Sequence, residues 1–166
     1  MTESFPGHKS MKQEQKIRVK AMCLFIKNGR ILVADGRTHI KGKSGNREIV
    51  PGDFYRLPGG SINFNETSED GIRREILEEL QSGIDNLKLI DVIENIFDYA
   101  GEKNHEVVFL FIGELEKGEL YNQEKIHIVE EEYEFDAVWV SLDEALNGEI
   151  ALYPMANYED LLAGYL

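Results

Sequence analysis

Three glutamates lie within five residues of one short segment, at a spacing that suits metal chemistry. Residues 74–79 read Arg-Glu-Ile-Leu-Glu-Glu. Side chains three and four positions apart share a helix face, so Glu75, Glu78 and Glu79 can direct their carboxylates toward one point. Such charges repel each other, and a divalent cation such as Mg²⁺, which prefers oxygen ligands, would relieve that repulsion. The segment indicates either a metal site or a solvated acidic helix face in which Arg74 pairs locally with Glu78.

A glycine turn precedes this segment and fits the same chemistry. Gly59 and Gly60 carry no side chains, so the backbone can approach an ion or a phosphate closely, and a carbonyl oxygen there is a candidate metal ligand. Arg74 can also pair with Glu66, which would tie the turn to the helix.

The spacing of these residues resembles the Nudix box, G-x5-E-x7-R-E-U-x-E-E-x-G-U, in which U is a bulky aliphatic residue. Gly60, Glu66 and the run from Arg74 to Glu79 match every charged position of that pattern. The final G-U pair would fall at Gln81 and Ser82, whereas Gly83-Ile84 follow two residues later. We therefore expect a two-residue extension at the end of the helix.

The resemblance extends to Leu57-Pro58-Gly59-Gly60 and to the run from Trp139 to Glu144. It implies an α/β Nudix fold, a mixed β-sheet sandwiched between α-helices, and hydrolysis of a diphosphate linked to another group, often a nucleoside. It also implies the site roles: Glu78 and Glu79 as metal ligands, Glu75 as a ligand or the base that activates water, the Gly60 carbonyl as a ligand, and Glu66 and Arg74 as supports of the box. The implied cofactor is Mg²⁺, with Mn²⁺ as a substitute.

Candidate site residues also lie outside the box. Arg56 precedes the glycine turn and is a candidate for substrate contact together with Gly59 and Gly60. Glu106 opens a strong strand and is either a further catalytic acid or base or part of a strand-edge pair that faces water.

The sequence is compatible with two roles for each of three further groups of residues. The cluster Arg37, His39, Lys41, Lys43 and Arg47 either holds phosphates or is a solvated loop. One of Glu130, Glu131, Glu132 and Glu134 can supply a helping carboxylate, but a solvated charge run is the alternative. Phe97 and Tyr99 either stack on a base or belong to the core.

The pattern of apolar residues and turn signals predicts the elements that position this site. We expect strands at 17–26, 30–34, 54–57, 87–96, 107–115 and 135–140, helices at 68–80, 142–146 and 157–163, and loops at 35–53 and 116–134. Thr67 is the expected N-cap of the first helix with Asp70 in the capping-box position, and its apolar stripe comprises Ile72, Ile76, Leu77 and Leu80. We assign residues 1–16 to a flexible tail and 17–166 to one Nudix domain.

Charge and composition narrow the class of function. The hydrophobic content of 42% and charged content of 30% are ordinary for a globular protein, and no apolar run reaches the length of a membrane span. A formal net charge of −13 opposes stable nucleic-acid binding. With one cysteine and no signal-peptide pattern, we expect a cytoplasmic protein that acts on a small-molecule diphosphate; a homodimer is compatible with the sequence.

Other functions are compatible with the same fold. A catalytically silent nucleotide-binding module would be expected to lack one or more box glutamates, and all are present. An isoprenoid-type isomerase would need a well-placed cysteine, whereas Cys23 lies in an apolar strand. An RNA-end hydrolase conflicts with the acidic charge. Among diphosphates, the sequence leaves nucleotide sugars, ADP-ribose, dinucleoside polyphosphates and nucleoside triphosphates open.

Overall fold

The computed structural model describes residues 15–41, 48–49, 54–99, 101–130 and 133–166, with backbone alone at 37–41 and 48–49. Within these ranges the strands are β1 Arg18–Lys27, β2 Arg30–Lys41, β3 Glu48–Ile49, β4 Tyr55–Arg56, β5 Gly59–Ser61, β6 Ile84–Tyr99, β7 Glu102–Leu115, β8 Lys125–Val129, β9 Tyr133–Ser141 and β10 Leu152–Tyr153. The helices are α1 Ser68–Leu80, α2 Leu142–Leu146 and α3 Tyr158–Leu162, and a 3₁₀ turn covers Gly118–Asn122. No helix in the described part of the chain is long and apolar enough to cross a membrane.

A mixed sheet carries the glycine turn. Strand β1 runs parallel to β7 and antiparallel to β5, and β7 pairs antiparallel with β6. The register places Lys20 opposite Ser61, Ala21 opposite Gly60 and Met22 opposite Gly59. A second group of strands is built on β2, which pairs antiparallel with β3, β4 and β9, while β9 also pairs with β8. The two glycines are therefore held by the pairing of β5 with β1, and the residues just before them are held by the pairing of β4 with β2.

The alternating side chains of β1 face two separate cores. On one face, Ala21 and Cys23 pack in the same cluster as Ile72 and Ile76 of α1. On the other face, Met22 and Leu24 belong to a cluster that includes residues of α2 and α3. Because successive strand residues point to opposite faces, one apolar run serves both cores. This confirms the predicted mixed sheet between helices.

The predicted helix α1 has the expected bounds and cap, but one residue of its stripe is wrong. The Thr67 hydroxyl accepts a hydrogen bond from the Asp70 backbone N–H at 3.1 Å, as an N-cap should. Ile72, Ile76 and Leu80 are buried, whereas Leu77 is 59% exposed. Leu77 follows directly after Ile76, and a step of one residue on a helix turns the side chain away from the core.

The expected two-residue extension of α1 is also wrong. The helix ends at Leu80, and Gln81 takes the left-handed conformation with φ 53°, donating its N–H to the Leu77 carbonyl at 3.0 Å. A glycine is favoured at such a position because it has no Cβ to clash. Gln81 therefore makes the same turn without the glycine of the box pattern, and Ser82 after it is buried.

The predicted loops contain strands that the sequence reading missed. Strand β2 continues through residues expected to be a loop as far as Lys41, and the connection 116–134 contains β8. Ile126 and Ile128 of β8 are buried between exposed neighbours, a short alternation characteristic of a half-buried strand. The predicted tail up to residue 14, Lys43 and Arg47 of the basic cluster, Glu131 and Glu132 lie outside the described residues, as do the side chains of Arg37, His39 and Lys41.

Candidate metal and catalytic centre

Gly59 and Gly60, which the sequence assigns to a turn, lie in strand β5, and backbone contacts require glycine at position 59. Gly59 has φ +133°, and a Cβ at this position would collide with the Ala21 carbonyl oxygen. A Cβ at Gly60 would overlap the carboxylate of Glu75. Strand β5 therefore brings backbone directly against the carboxylate of Glu75 on α1.

Arg74 connects the loop before α1 to the helix. Its Nε and Nη2 atoms donate to the two carboxylate oxygens of Glu66 at 2.7 Å and 2.8 Å, and Nη2 also donates to the Ser61 carbonyl at 2.9 Å. These hydrogen bonds, with one from the Asn63 N–H, lower the pKa of Glu66 to about 2. The structure thus contains a bidentate pair of Arg74 and Glu66, where the sequence indicated only that the two residues can pair.

Three carboxylates converge beside the turn. Oxygen atoms of Glu75, Glu79 and Glu130 lie within 4.8 Å of one another. Glu75 and Glu79 are one helical turn apart on α1, and the Glu130 N–H donates a hydrogen bond to the Tyr133 carbonyl at 2.8 Å. The sequence contained this acidic run, and of its two described members, Glu130 and Glu134, the path of the chain brings Glu130 to the cluster.

Glu79 is the most deeply buried member of this cluster. Its side chain is 1% exposed, and Oε2 accepts a hydrogen bond from the Gly59 N–H at 3.2 Å. Oε1 has no hydrogen-bond partner among the described residues, and the nearest cation, Arg56, holds its Nη2 atom 3.7 Å away. Burial, followed by the charges of Glu130 and Glu75, raises the pKa of Glu79 well above its usual range despite Arg56. An unpaired buried oxygen among carboxylates is a position that a cation would satisfy.

Burial in the cluster disfavours the charged form of Glu75 as well, whereas Glu78 lies outside the cluster. Burial raises the pKa of Glu75, even though Arg74 Nη1 donates to its carboxylate at 2.8 Å. The side chain of Glu78 is 57% exposed and pairs with Arg74 at 3.3 Å. The structure therefore brings together two of the three predicted box carboxylates with Glu130, and it does not bring Glu78 to them.

Glu106 lies in a different environment on the other face of the mixed sheet. Its side chain is 1% exposed, so the alternative of a strand-edge pair facing water is wrong. The carboxylate contacts Arg18 Nη2 at 2.9 Å and Lys20 Nζ at 3.1 Å, and it accepts a hydrogen bond from the Tyr153 hydroxyl. The predicted role of Glu106 as an acid or base stays a prediction.

A cavity of about 540 Å³ is lined in part by Tyr153, whose hydroxyl donates a hydrogen bond to Glu106. Phe54, Phe97, Tyr99 and Tyr153 line it, and the centroids of the Phe97 and Tyr153 rings are 5.4 Å apart. The volume lies in the range of small-molecule pockets. Phe97 and Tyr99 therefore contribute to a cavity wall, which sequence reasoning had left open between core and ligand contact.

Comparison with known proteins identifies the family. The family model for the NUDIX domain matches residues 16–158, so the chain belongs to the Nudix hydrolase family. This is a family of pyrophosphohydrolases that act on nucleoside diphosphate derivatives.

Solved structures show the same fold. The chain is similar to a MutT Nudix hydrolase from Burkholderia pseudomallei, with 23% identity and a TM-score of 0.55 over 92% of this chain and 100% of that one. It is also similar to a Nudix hydrolase from Nitrosomonas europaea, with 18% identity and a TM-score of 0.56 over 90% of each chain.

Proposed function

We propose that this protein is a divalent-metal-dependent hydrolase that cleaves the diphosphate linkage of a nucleoside diphosphate derivative, with Mg²⁺ as cofactor and Mn²⁺ as a substitute. The observation that carries the proposal is the cluster of Glu75, Glu79 and Glu130, in which a buried Glu79 oxygen accepts no hydrogen bond from any described residue. Hard divalent cations take carboxylate oxygens and leave positions for water and substrate phosphates.

These three carboxylates would hold the metal, with the Gly60 carbonyl as a further ligand. Glu78 would join them only after leaving Arg74, so its predicted role as a ligand requires a change of rotamer. When bound, the metal neutralises phosphate oxygens and lowers the pKa of a bound water. The contribution of the chain is to orient: Arg74 and Glu66 fix the loop against α1, and Gly59 fixes the Glu79 carboxylate through its N–H.

The substrate would lie between the carboxylates and the aromatic cavity. Arg56 is 27% exposed and stands beside Glu79, which suits a contact with a phosphate oxygen. Phe97, Tyr99 and Tyr153 offer flat apolar surfaces for the group attached to the diphosphate, such as a nucleoside. We propose a small-molecule substrate in the cytoplasm; stable nucleic-acid binding is not expected, and a homodimer stays a prediction.

The alternative is a domain that binds a nucleotide without cleaving it. The site favours hydrolysis, because a domain without catalysis has no need for three carboxylates at an electrostatic cost. The deciding experiment incubates the protein with Mg²⁺ or Mn²⁺ and a panel of nucleotide sugars, ADP-ribose, dinucleoside polyphosphates and nucleoside triphosphates. Products are identified by mass.

Glu79→Gln serves as the control for contaminating phosphatases. Cleavage between phosphates by the wild type alone would support the hydrolase. Thermal stabilisation by one nucleotide without any cleavage would favour the binding domain instead.

A further inference from the structure

Three cations, Arg18, Lys20 and Arg56, stand beside the two buried glutamates Glu106 and Glu79. Lys20 and Arg18 contact Glu106, and Arg56 stands near Glu79. Arg56 and Arg18 both lower the pKa of the Lys20 ammonium by their charge, so the three cations share one electrostatic environment. Arg56 is paired with Glu79, but Arg18 and Lys20 share the single carboxylate of Glu106, which therefore balances only one of their two charges.

Lys20 occupies the centre of this group. On β1 it is paired with Ser61, one residue along from the pair of Ala21 and Gly60. Its Nζ atom lies 5.9 Å from the centroid of the Tyr153 ring, which lines the cavity. The side chain is 15% exposed, so the ammonium is partly desolvated and still open to a ligand.

We propose that Lys20 binds a phosphate of the substrate, and that Glu106 is the positioning residue that holds the Lys20 ammonium between the metal cluster and the cavity. This inference rests on the proposed function, because it assigns a residue of that site, other than the carboxylates, to binding the diphosphate of the substrate. An ammonium acts as a point charge toward phosphate oxygens, and partial burial strengthens that attraction.

The arrangement around Glu106 explains why an acidic residue belongs in a phosphate site. Burial lowers the pKa of Lys20, and the contact with Glu106 opposes that shift, so the carboxylate keeps the ammonium charged. Glu106 also accepts a hydrogen bond from the hydroxyl of Tyr153. This hydrogen bond orients the Tyr153 ring, which lines the cavity. One carboxylate therefore positions both the phosphate-binding cation and the aromatic surface.

The test measures binding of inorganic pyrophosphate with Mg²⁺ by isothermal titration calorimetry, so no turnover of an unidentified substrate is needed. Lys20→Met should weaken pyrophosphate binding about tenfold or more, because a charge-assisted hydrogen bond is lost. Lys20→Arg should restore most of the affinity. Glu106→Gln should weaken binding by a smaller factor, since the ammonium remains but is no longer held.

Lys27→Met is the matched control. It removes the same charge from the same strand, seven residues and about 23 Å away at the usual rise of a strand. Pyrophosphate affinity in Lys27→Met should equal that of the wild type, and Mn²⁺ affinity should be unchanged in all four variants. Thermal unfolding confirms that each variant is folded.

Each of two results of the binding experiment would overturn the inference. One is pyrophosphate binding by Lys20→Met as tight as in the wild type, and the other is a wild type that binds no pyrophosphate in the presence of Mg²⁺. Failure of the proposed function looks different: pyrophosphate affinity would depend on Lys20 while no diphosphate derivative is cleaved. Conversely, hydrolysis with unchanged KM in Lys20→Met would leave the hydrolase standing and remove Lys20 from it.

Discussion

Two glutamates of this protein are equally buried and stand in opposite electrostatic surroundings. The side chains of Glu79 and Glu106 are each 1% exposed. Glu79 adjoins two other carboxylates, and its Oε1 lacks a hydrogen-bond donor within the described ranges. Glu106 contacts two cations and a hydroxyl, and the neighbouring Asn95 has a buried amide nitrogen without a partner in the same part of the chain.

Glu79 lies in a cluster of carboxylates that a bound cation would stabilise. The charge of Glu106 is already balanced by contacts with Arg18 and Lys20. Burying a carboxylate without compensation is costly, and at Glu79 this cost raises the pKa of the carboxyl group; a bound metal would offset the cost. Glu106 is compensated by the chain itself. The first carboxylate is therefore suited to recruit a metal ion, and the second is suited to hold other groups in place.

The largest expected effect is on turnover when Glu79 is neutralised. Glu79→Gln should lower kcat by about 100-fold or more, because the metal loses a buried ligand. The same change removes a destabilising buried charge, so the melting temperature of the metal-free variant should not fall below that of the wild type. Steady-state kinetics and thermal unfolding in EDTA check the two parts; turnover close to wild type would contradict the assignment.

Neutralising Glu106 should act in the opposite direction on stability. Glu106→Gln leaves Lys20 and Arg18 without their counter-charge, and we expect a loss of roughly 1.5–3 kcal/mol in the free energy of unfolding. Urea unfolding of metal-free protein measures this. If Glu79→Gln and Glu106→Gln shifted the stability equally, the contrast between the two sites would be lost.

A smaller effect separates Glu130 from Glu78 as metal ligands. Glu130→Gln should weaken Mn²⁺ binding about tenfold, equivalent to about 1.4 kcal/mol. Glu78→Gln should weaken it less, because the exposed Glu78 is paired with Arg74 and stands outside the cluster. Calorimetric titration with Mn²⁺ compares the two. The reverse order would show that Glu78 moves to the metal and Glu130 does not hold it.

The smallest effect concerns the pair of Arg74 and Glu66, which is partly open to solvent. The pKa of Glu66 is depressed to about 2 in the folded protein, below that of an ordinary glutamate. Its contribution to stability should be complete above the ordinary pKa and fade as the pH falls toward 2. The difference in melting temperature between wild type and Glu66→Gln should shrink between pH 5 and pH 2. A constant difference would exclude this linkage.

Local features of the site were readable from the sequence. The cap at Thr67, the spacing of Glu75 and Glu79, and the glycine turn depend on residues close together in the chain. The same reasoning failed at Gln81, because a left-handed residue without glycine gives no sequence signal. It also missed β8, although the alternation around Ile126 and Ile128 contained that information.

Long-range neighbours could not be predicted. Glu130 is about 50 residues from Glu79, and Tyr153 is 47 residues from Glu106, so their contacts follow from the packing of strands and not from local pattern. The burial of Glu106 illustrates the limit, since one residue type at a strand start is compatible with either face of a sheet. The contrast between the two glutamates therefore emerges only in the folded chain.

The most direct test of a metal site at Glu79 uses electron paramagnetic resonance to measure Mn²⁺ binding. The proteins compared are the wild type, Glu79→Gln and Glu106→Gln. The wild type and Glu106→Gln should bind Mn²⁺ with similar affinity, and Glu79→Gln should bind at least tenfold more weakly. Equal Mn²⁺ binding by wild type and Glu79→Gln would contradict the central claim that the buried carboxylate of Glu79 recruits the metal.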